Sequence, residues 1–439
     1  MNPFNPYNYK IKIRQRLVYY MKTTPVKGTN DYNSNEAEIR DYLQDKILSV
    51  YRNYGYDRIV TPILEDSQNL DKSEGGDNLN LVFKILKRGQ KLESAMAKGS
   101  SDDLTDIGLR YDLTLPLSRY VANNQGKLVY PFKVIQMGTV YRAERPQKGR
   151  LREFTQCDID VIGSSSPNIE IELLHVASEA LIAIGIKRFT VKVNDRRVLK
   201  SMLQGMGFAN DQLDSVCISF DKLDKIGVDG VCDELTGKDF SKAAIDQLKQ
   251  QLESGDFTLA AMADRISEKQ AADNLRHIID ESERLAQINK GKYDDVDYNV
   301  VFDPSLVRGQ GYYTGTVFEI ESKEFRGAIA GGGRYDDLIG KFIKNDVPAV
   351  GISIGFERIF SILMDNNFTV PNQKKKIAMF YEPDQFHEAF QEAEAIRDQY
   401  TVSLLERPKK MGPYLDKLKE RGITGFLNFG VSDSITELD

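Results

Sequence analysis

The period of the text changes twice along this chain, and that limits what it can fold into. Between about residues 78 and 160, "LVFKIL", "LRYDLTLPL", "PFKVIQMGTVYRAE" and "EFTQCDIDVIG" are rich in β-branched and aromatic residues and read as strands. "FTVKVND" continues in the same way. Residues 196–300 then change character. They carry few glycines, and "KDFSKAAIDQLKQQLES" and "AADNLRHIIDESERLAQI" space their apolar residues as helices do. Strands resume at "VVFDPSLV", "YTGTVFEIES" and "GAIAGGG". Strands and helices are grouped rather than strictly alternating, which makes the fold class α+β, a sheet-based unit interrupted by a helical insertion.

Several elements follow from local signals. Asn35 caps a helix whose apolar positions are Ile39, Leu43, Ile47 and Val50. "YGYDRIVTPILED" reads as a turn and a strand closed by Pro62. Pro116 starts the helix "PLSRYVANN", and residues 168–184 form another. Gly351 and Gly355 lie four apart in "VGISIGFERIFSILMD", which reads as a helix lying flat on a sheet. The linker "NNFTVPNQKKK" leads to a β-α-β-α-β tail, whose helix "DQFHEAFQEAEAIRDQ" has Phe386, Ala389, Phe390, Ala393 and Ile396 on one face. The expected divisions are an N-terminal extension (1–22), two halves of the sheet domain (23–195 and 299–366), the insertion (196–298), the linker (367–376) and a small α/β domain (377–439).

Composition excludes several classes of protein. The 439 residues carry a net charge of -6, which argues against wholesale non-specific nucleic-acid binding but leaves room for a local basic groove. Cys157, Cys217 and Cys232 form no CxxC pair, so neither a disulfide framework nor a zinc site is expected, and a reducing cytoplasm is. His175, His277 and His387 are the only histidines, and the structural or surface roles expected of the first two argue against histidine-based acid–base chemistry. No apolar run approaches the roughly 20 residues needed to span a membrane. The basic start lacks the apolar stretch of a signal peptide.

Residues 141–156, "YRAERPQKGRLREFTQ", hold Arg142, Arg145, Lys148, Arg150 and Arg152, with a turn marked by Pro146 and Gly149. A hairpin with several planar guanidiniums can grip polyphosphate oxygens, and Phe154 offers an aromatic face for a base. The alternative is a solvated, charge-rich hairpin. "GLRYDLTLPLSRY" places Asp112 and Thr114 on one strand face, to hold an ammonium or, alternatively, to pair Asp112 with Arg110 or Arg119. "AGGGRYDDL" sets Arg334 and Tyr335 after three glycines, at a site or a tight turn. Arg358 in "GISIGFERI" is a phosphate ligand or a surface charge. No GxxxxGK[ST] is present, so a nucleotide would be held mainly by side chains on an antiparallel sheet.

Taken in order, these stretches resemble the histidyl-tRNA synthetases, a family of class II aminoacyl-tRNA synthetases, over about residues 23–365. "KGTNDY" resembles the family's N-terminal signature, "YDRIVTP" with its preceding helix motif 1, and "YRAERPQKGRLREFTQCDIDVIG" motif 2. "LVRGQGYYTG" and "AGGGRYDDL" resemble the two histidine signatures, and "GISIGFERI" motif 3. "KVNDRRVL" and "DKLDKIG" look like the eukaryote-type branch. The resemblance implies an antiparallel catalytic sheet flanked by helices, a helical insertion, a C-terminal anticodon-binding α/β domain and a homodimer formed through motif 1. It implies histidine, ATP, magnesium and tRNA-His as substrates and partners.

By matching position, Arg142 and Arg308 face the α-phosphate. Glu144, Arg150, Phe154 and Arg358 contact ATP. Asp112, Thr114 and Gln156 surround the amino end of histidine, while Asp160, Tyr312, Tyr313 and Tyr335 surround its imidazole. No metal ligand is assigned. The chain departs from the family at Gln310 and Gly311, where a leucine and an aspartate are usual. It also has a shortened tail whose residues 374–439 carry a charge of -2, which puts the anticodon contact in question. The rival reading is a non-aminoacylating paralogue, such as the regulatory subunit of ATP phosphoribosyltransferase.

Overall fold

In the computed structural model, the described residues are 21–73, 81–99, 102–147, 149–255, 257–261, 263–307, 312–325, 327–432 and 434–438. Lys148, Arg308, Gln310 and Gly311 lie outside them. The first helix, α1 (Ser34–Asn53), starts at Asn33 rather than Asn35. The Asn33 side chain accepts from the Glu36 N–H at 3.0 Å, and the Glu36 carboxylate accepts from the Asn33 N–H at 2.7 Å. The glutamate three residues on selects Asn33, and such a cap contributes about 1 kcal/mol. Ile39, Leu43, Ile47 and Tyr51 recur every four residues and bury one stripe. Val50, an expected member, is only partly buried.

That stripe packs against an eight-stranded sheet made of β1 (Asp57–Arg58), β2 (Phe132–Tyr141), β3 (Glu153–Ile162), β4 (Arg188–Asp195), β5 (Asp297–Phe302), β6 (Thr316–Ser322), β7 (Ala328–Arg334) and β8 (Ala349–Gly355). Their spatial order is β1-β2-β3-β8-β7-β6-β4-β5. The six inner strands are antiparallel neighbours, and only the two edge pairs, β1 with β2 and β4 with β5, are parallel. Ile135, Cys157, Ile159, Val161, Val350, Ile352, Ile354, Phe318 and Ile320 share one buried core with the helix layer. That layer comprises α1, α3 (Asn168–Ala183) and α4 (Phe356–Asp365). Each large side chain buried there contributes about 1.5–3 kcal/mol.

Two local readings need correction. The stretch "VGISIGFERIFSILMD" is not one helix: its first part is β8, and α4 begins at Phe356. Glycines four apart mimic a helical packing signal, but Val350, Ile352 and Ile354 alternate with period two and bury as a strand. Likewise Asp112 and Thr114 do not share a strand face. The strand Thr105–Leu109 stops before them, and α2 (Thr114–Asn124) begins at Thr114. Pro116 sits in the first turn, where its missing N–H costs little. Asp112 pairs with neither Arg110 nor Arg119. Arg119 pairs with Glu65 at 2.6 Å, and Arg110 donates to the carbonyls of Thr139 and Thr61.

Between β4 and β5 lie the helices Arg196–Gly205, Leu213–Phe220, Leu223–Thr236, Lys242–Glu253 and Lys269–Lys292, so the charged text is helical as expected. In the tail, strand Lys375–Tyr381 lies between Tyr400–Glu406 and Gly425–Asn428, parallel to both, and a two-residue strand, Thr436–Glu437, extends the sheet. Ala389 and Ala393 of its first helix are fully buried, whereas Phe386 and Phe390 stay exposed. Only the small residues allow the helix to sit close to the sheet.

Two ion pairs fasten the helix layer. Glu357 of α4 accepts from Arg40 of α1 at 2.6 and 2.9 Å, from Tyr32 at 3.2 Å and from the Thr155 N–H of β3 at 3.1 Å. Arg334, at the end of β7, makes a two-pronged contact with Glu170 of α3, at 2.7 Å on each prong. Both partners of the second pair are almost fully buried. Breaking such a pair strands one charge. Glu170→Gln should therefore lower folding stability by about 3 kcal/mol in urea unfolding. A loss below about 1 kcal/mol would show that the pair does not hold the layer.

Candidate active site

The face of the sheet opposite the helices carries the polar residues. Along β3 the side chains alternate, so Gln156, Asp158 and Asp160 point away from the core that buries Cys157, Ile159 and Val161. Register sets their neighbours. Gly138 and Gly355 flank Gln156, Gln136 and Ser353 flank Asp158, and Val134 and Gly351 flank Asp160. Gly333 of β7 lies beside Gly351. The three successive glycines therefore run through a strand, not a tight turn. A Cβ at Gly351 would stand 1.9 Å from Asp160 Oδ1, and one at Gly333 would stand 2.8 Å from the Tyr313 ring. The glycines leave space for the acid and the tyrosine that the floor presents.

Among the described residues, four acceptor oxygens on this floor are buried without a hydrogen-bond partner: Asp112 Oδ2, Gln156 Oε1, Asp158 Oδ1 and Asp160 Oδ2. The other oxygen of Asp112 accepts from the Leu115 N–H at 3.1 Å, closing the start of α2. That of Asp160 accepts from the Tyr335 hydroxyl at 2.6 Å. Burial pushes Asp112 up to about 6 and Asp160 up to about 7. It raises Asp158 well above the usual carboxylate range, with the neighbouring Asp160 adding to the effect. Tyr335 is held protonated by burial and by Asp160, so it donates. Tyr312, Tyr313 and Tyr335 form a wall, with ring centroids 4.9 Å apart for the first two and 6.1 Å apart for Tyr312 and Tyr335.

Guanidiniums gather at the other end. Arg142 follows β2, donates from Nε to the Tyr111 carbonyl at 2.9 Å, and lies 5.1 Å from the Phe154 ring centroid. Its charge is felt at Asp112. In the loop joining β2 to β3, Arg150 reaches Glu144 at 3.6 Å, so these two candidate ATP contacts hold each other. The Arg152 N–H donates to the Gly28 carbonyl at 2.7 Å, which lays "KGTNDY" against this loop. Arg358 donates to the Ala328 carbonyl and sits 5.9 Å from the Phe325 ring centroid. A Cβ at Gly149 would be 3.6 Å from Arg358 Cγ, so the loop turn and Arg358 are neighbours.

The structure thus gathers Asp112, Thr114, Gln156, Asp160, Tyr312, Tyr313 and Tyr335 at one end and Arg142, Glu144, Arg150, Phe154 and Arg358 at the other. Arg308 belongs to the segment outside the described residues. Asp158 was not singled out from the sequence, although the two-residue alternation Gln156-Asp158-Asp160 is a signal that finds it.

A family model described as histidyl-tRNA synthetase matches residues 28–359. The chain belongs to the histidyl-tRNA synthetase family. A histidine–tRNA ligase of Leifsonia xyli subsp. xyli is 41% identical over 348 residues, covering 77% of this chain and 80% of that protein. One from Porphyromonas gingivalis is 36% identical over 354 residues, covering 77% and 76%. Among solved structures, a histidyl-tRNA synthetase from Nostoc sp. PCC 7120 superposes with a TM-score of 0.73 at 25% identity, covering 93% of this chain and 91% of that one. A Bacillus halodurans protein, described as an ATP phosphoribosyltransferase regulatory subunit/histidyl-tRNA synthetase, gives a TM-score of 0.74 over 93% and 99% of the two chains. At 20% identity it is alike in fold alone.

The raised acids of this family member have a consequence for stability. A carboxyl whose folded value is raised stabilises the fold at low pH and loses that contribution as pH rises through the folded value. Asp112→Asn keeps the acceptor for the Leu115 N–H. Its stability relative to the unsubstituted protein should therefore rise by up to about 3 kcal/mol between pH 4 and 7. Urea unfolding at stepped pH reads this, and a constant difference across the window would refute the buried-acid assignment.

Proposed function

We propose that this chain is a histidine–tRNA ligase, activating histidine with ATP and passing it to tRNA-His. The observation that carries the reading is the polarity of the cleft. Unpartnered acceptor oxygens form one end, and Arg142 over Phe154 begins the other. A zwitterionic amino acid fits with its ammonium and imidazole N–H on the acids and its carboxylate toward Arg142. Asp160 and Tyr335 read the ring, with Tyr312 and Tyr313 as its wall, and Asp112 and Gln156 receive the amino end, with Thr114 among the groups around it. A side chain lacking ring donors would leave buried polar groups unpaired, which is a strong basis for rejection.

Phe154 stacks on adenine, Glu144 contacts it, and Arg150 and Arg358 turn outward from their present partners to the β- and γ-phosphates. The histidine carboxylate is already ionised when it attacks the α-phosphorus, so no general base is required. Negative charge builds on the α-phosphoryl oxygens as pyrophosphate leaves, and Arg142 and Arg308, aimed there, lower the barrier. The ribose hydroxyl of tRNA-His then takes the histidyl group from the adenylate. Magnesium is expected from the resemblance. Among the described residues no group of three Asp, Glu, His or Cys is arranged to hold a metal.

We read the protein as a cytoplasmic homodimer joined through the motif 1 segment; among the described residues no helix is long and apolar enough to cross a membrane. The eukaryote-type branch rests on "KVNDRRVL" and "DKLDKIG" alone, and the bacterial relatives above lend it no support. A contact of the tail domain with the anticodon rests on Arg407, Lys409 and Lys410 in "ERPKK". Retention of Arg142, Arg150 and Arg358 weighs against the regulatory paralogue.

Purified protein should catalyse histidine-dependent ATP–pyrophosphate exchange. Folded protein without exchange, co-purifying with a phosphoribosyltransferase, would establish the paralogue instead. Arg142→Ala should lower kcat for exchange by roughly 10²–10³, the range for losing one transition-state donor. An unchanged kcat in a folded variant would remove Arg142 from the chemistry.

A further inference from the structure

We infer that Asp158 is the third acceptor for the substrate's α-ammonium group, completing a tripod with Asp112 and Gln156. The inference rests on the histidine-binding reading above and adds to it a residue that the family resemblance did not supply. Asp158 stands in the middle of β3's polar face, one alternation from both Gln156 and Asp160, with Gln136 and Ser353 directly across on the two neighbouring strands. It is 4% exposed, and its Oδ1 has no partner.

The surroundings orient it. Ser353 hydrogen-bonds the Asp158 carboxylate, and Gln156 Nε2 approaches the Ser353 hydroxyl at 3.4 Å. A serine has a single hydrogen to give. Directed to Asp158, it leaves the hydroxyl oxygen as acceptor for the Gln156 amide, so Gln156 Oε1 is the atom left for the cleft. Ser353 thereby sets two of the tripod's three acceptors.

Among the described residues no cation forms an ion pair with this carboxylate. Arg110, which feels the charge of Asp158, directs Nε to the Thr139 carbonyl and Nη1 to Thr61 and the Pro62 carbonyl. Arg142, whose charge lowers Asp158, donates to Tyr111 and lies over Phe154. A buried acid with an unpartnered oxygen costs stability, and proteins retain such groups where a ligand supplies the missing donor. The numbers of donors and acceptors agree. An ammonium brings three N–H groups to Asp112 Oδ2, Gln156 Oε1 and Asp158 Oδ1. A neutral imidazole brings one, to Asp160 Oδ2, whose companion oxygen is already bonded to Tyr335.

Asp158→Asn keeps the size of the side chain and an acceptor for Ser353 while removing the charge. Calorimetry should show histidine binding at least tenfold weaker. Binding of imidazole-4-propionate, which has the ring but no ammonium, should change less than threefold. The histidine KM in pyrophosphate exchange should rise in step while the ATP KM stays constant, and the unliganded Tm at pH 8 should be unchanged or higher. Unchanged histidine binding, or equal losses for both ligands, would overturn the assignment. Asp158→Ser is the second variant. Failure of both variants to fold would also overturn it, since a ligand acceptor is not needed by the unliganded fold. Unsubstituted protein that binds no histidine would remove the functional reading and this assignment together. Normal binding left intact by D158N would remove this assignment alone.

Discussion

Strand β3 has to satisfy two environments at once, and the site depends on that constraint. Cys157, Ile159 and Val161 are fully buried against the helix layer, which fixes the strand's rotation. Gln156, Asp158 and Asp160 then have only the opposite face available. A slip of one residue would expose the apolar set and bury three polar side chains among hydrocarbons, so the register is strongly specified. The same register puts Gly355, Ser353 and Gly351 beside the polar residues. Floor, acids and open space are thus consequences of one pairing.

That arrangement separates charge across the cleft. Acceptors collect on the sheet floor, and guanidiniums collect at the loop between β2 and β3 and at the start of α4. A ligand with an ammonium at one end and a carboxylate at the other is oriented before any chemistry occurs, and orientation is a large part of what an enzyme contributes. The acids are costly in the empty protein, as their raised values record. The opposite face offsets that cost with a continuous apolar core and two tethers. Arg40–Glu357 joins α1, α4 and β3, and Arg334–Glu170 joins β7 to α3. Glu357 precedes Arg358, so the residue that anchors α4 sits beside one offered to ATP.

Much of this was legible before any coordinates. Periodicity separated the sheet from the helical segment, and the arginine-rich hairpin between β2 and β3 lies where its turn residues predicted. Errors arose where two signals competed. Gly351 and Gly355 have a helical spacing, yet the period-two burial of Val350, Ile352 and Ile354 decides for a strand. Asp112 and Thr114 alternate as strand residues do, yet α2 starts between them, with the Asp112 carboxylate accepting from the Leu115 N–H. Asp158, an acid among acids on one strand, looks like ordinary polarity until its unpartnered oxygen is visible.

The sequence by itself determined the composition of the site: the alternation along β3, the glycines that keep side chains off the floor, and the cluster of guanidiniums. These are local properties, set by periodicity and residue type. Only the tertiary structure decided which groups have partners. Arg334 is consumed by Glu170 and Arg119 by Glu65, whereas Asp112, Asp158, Asp160 and Gln156 each keep an acceptor without a partner. Pairing depends on distances between residues far apart in the chain, 317 positions for Arg40 and Glu357, and no local pattern encodes those.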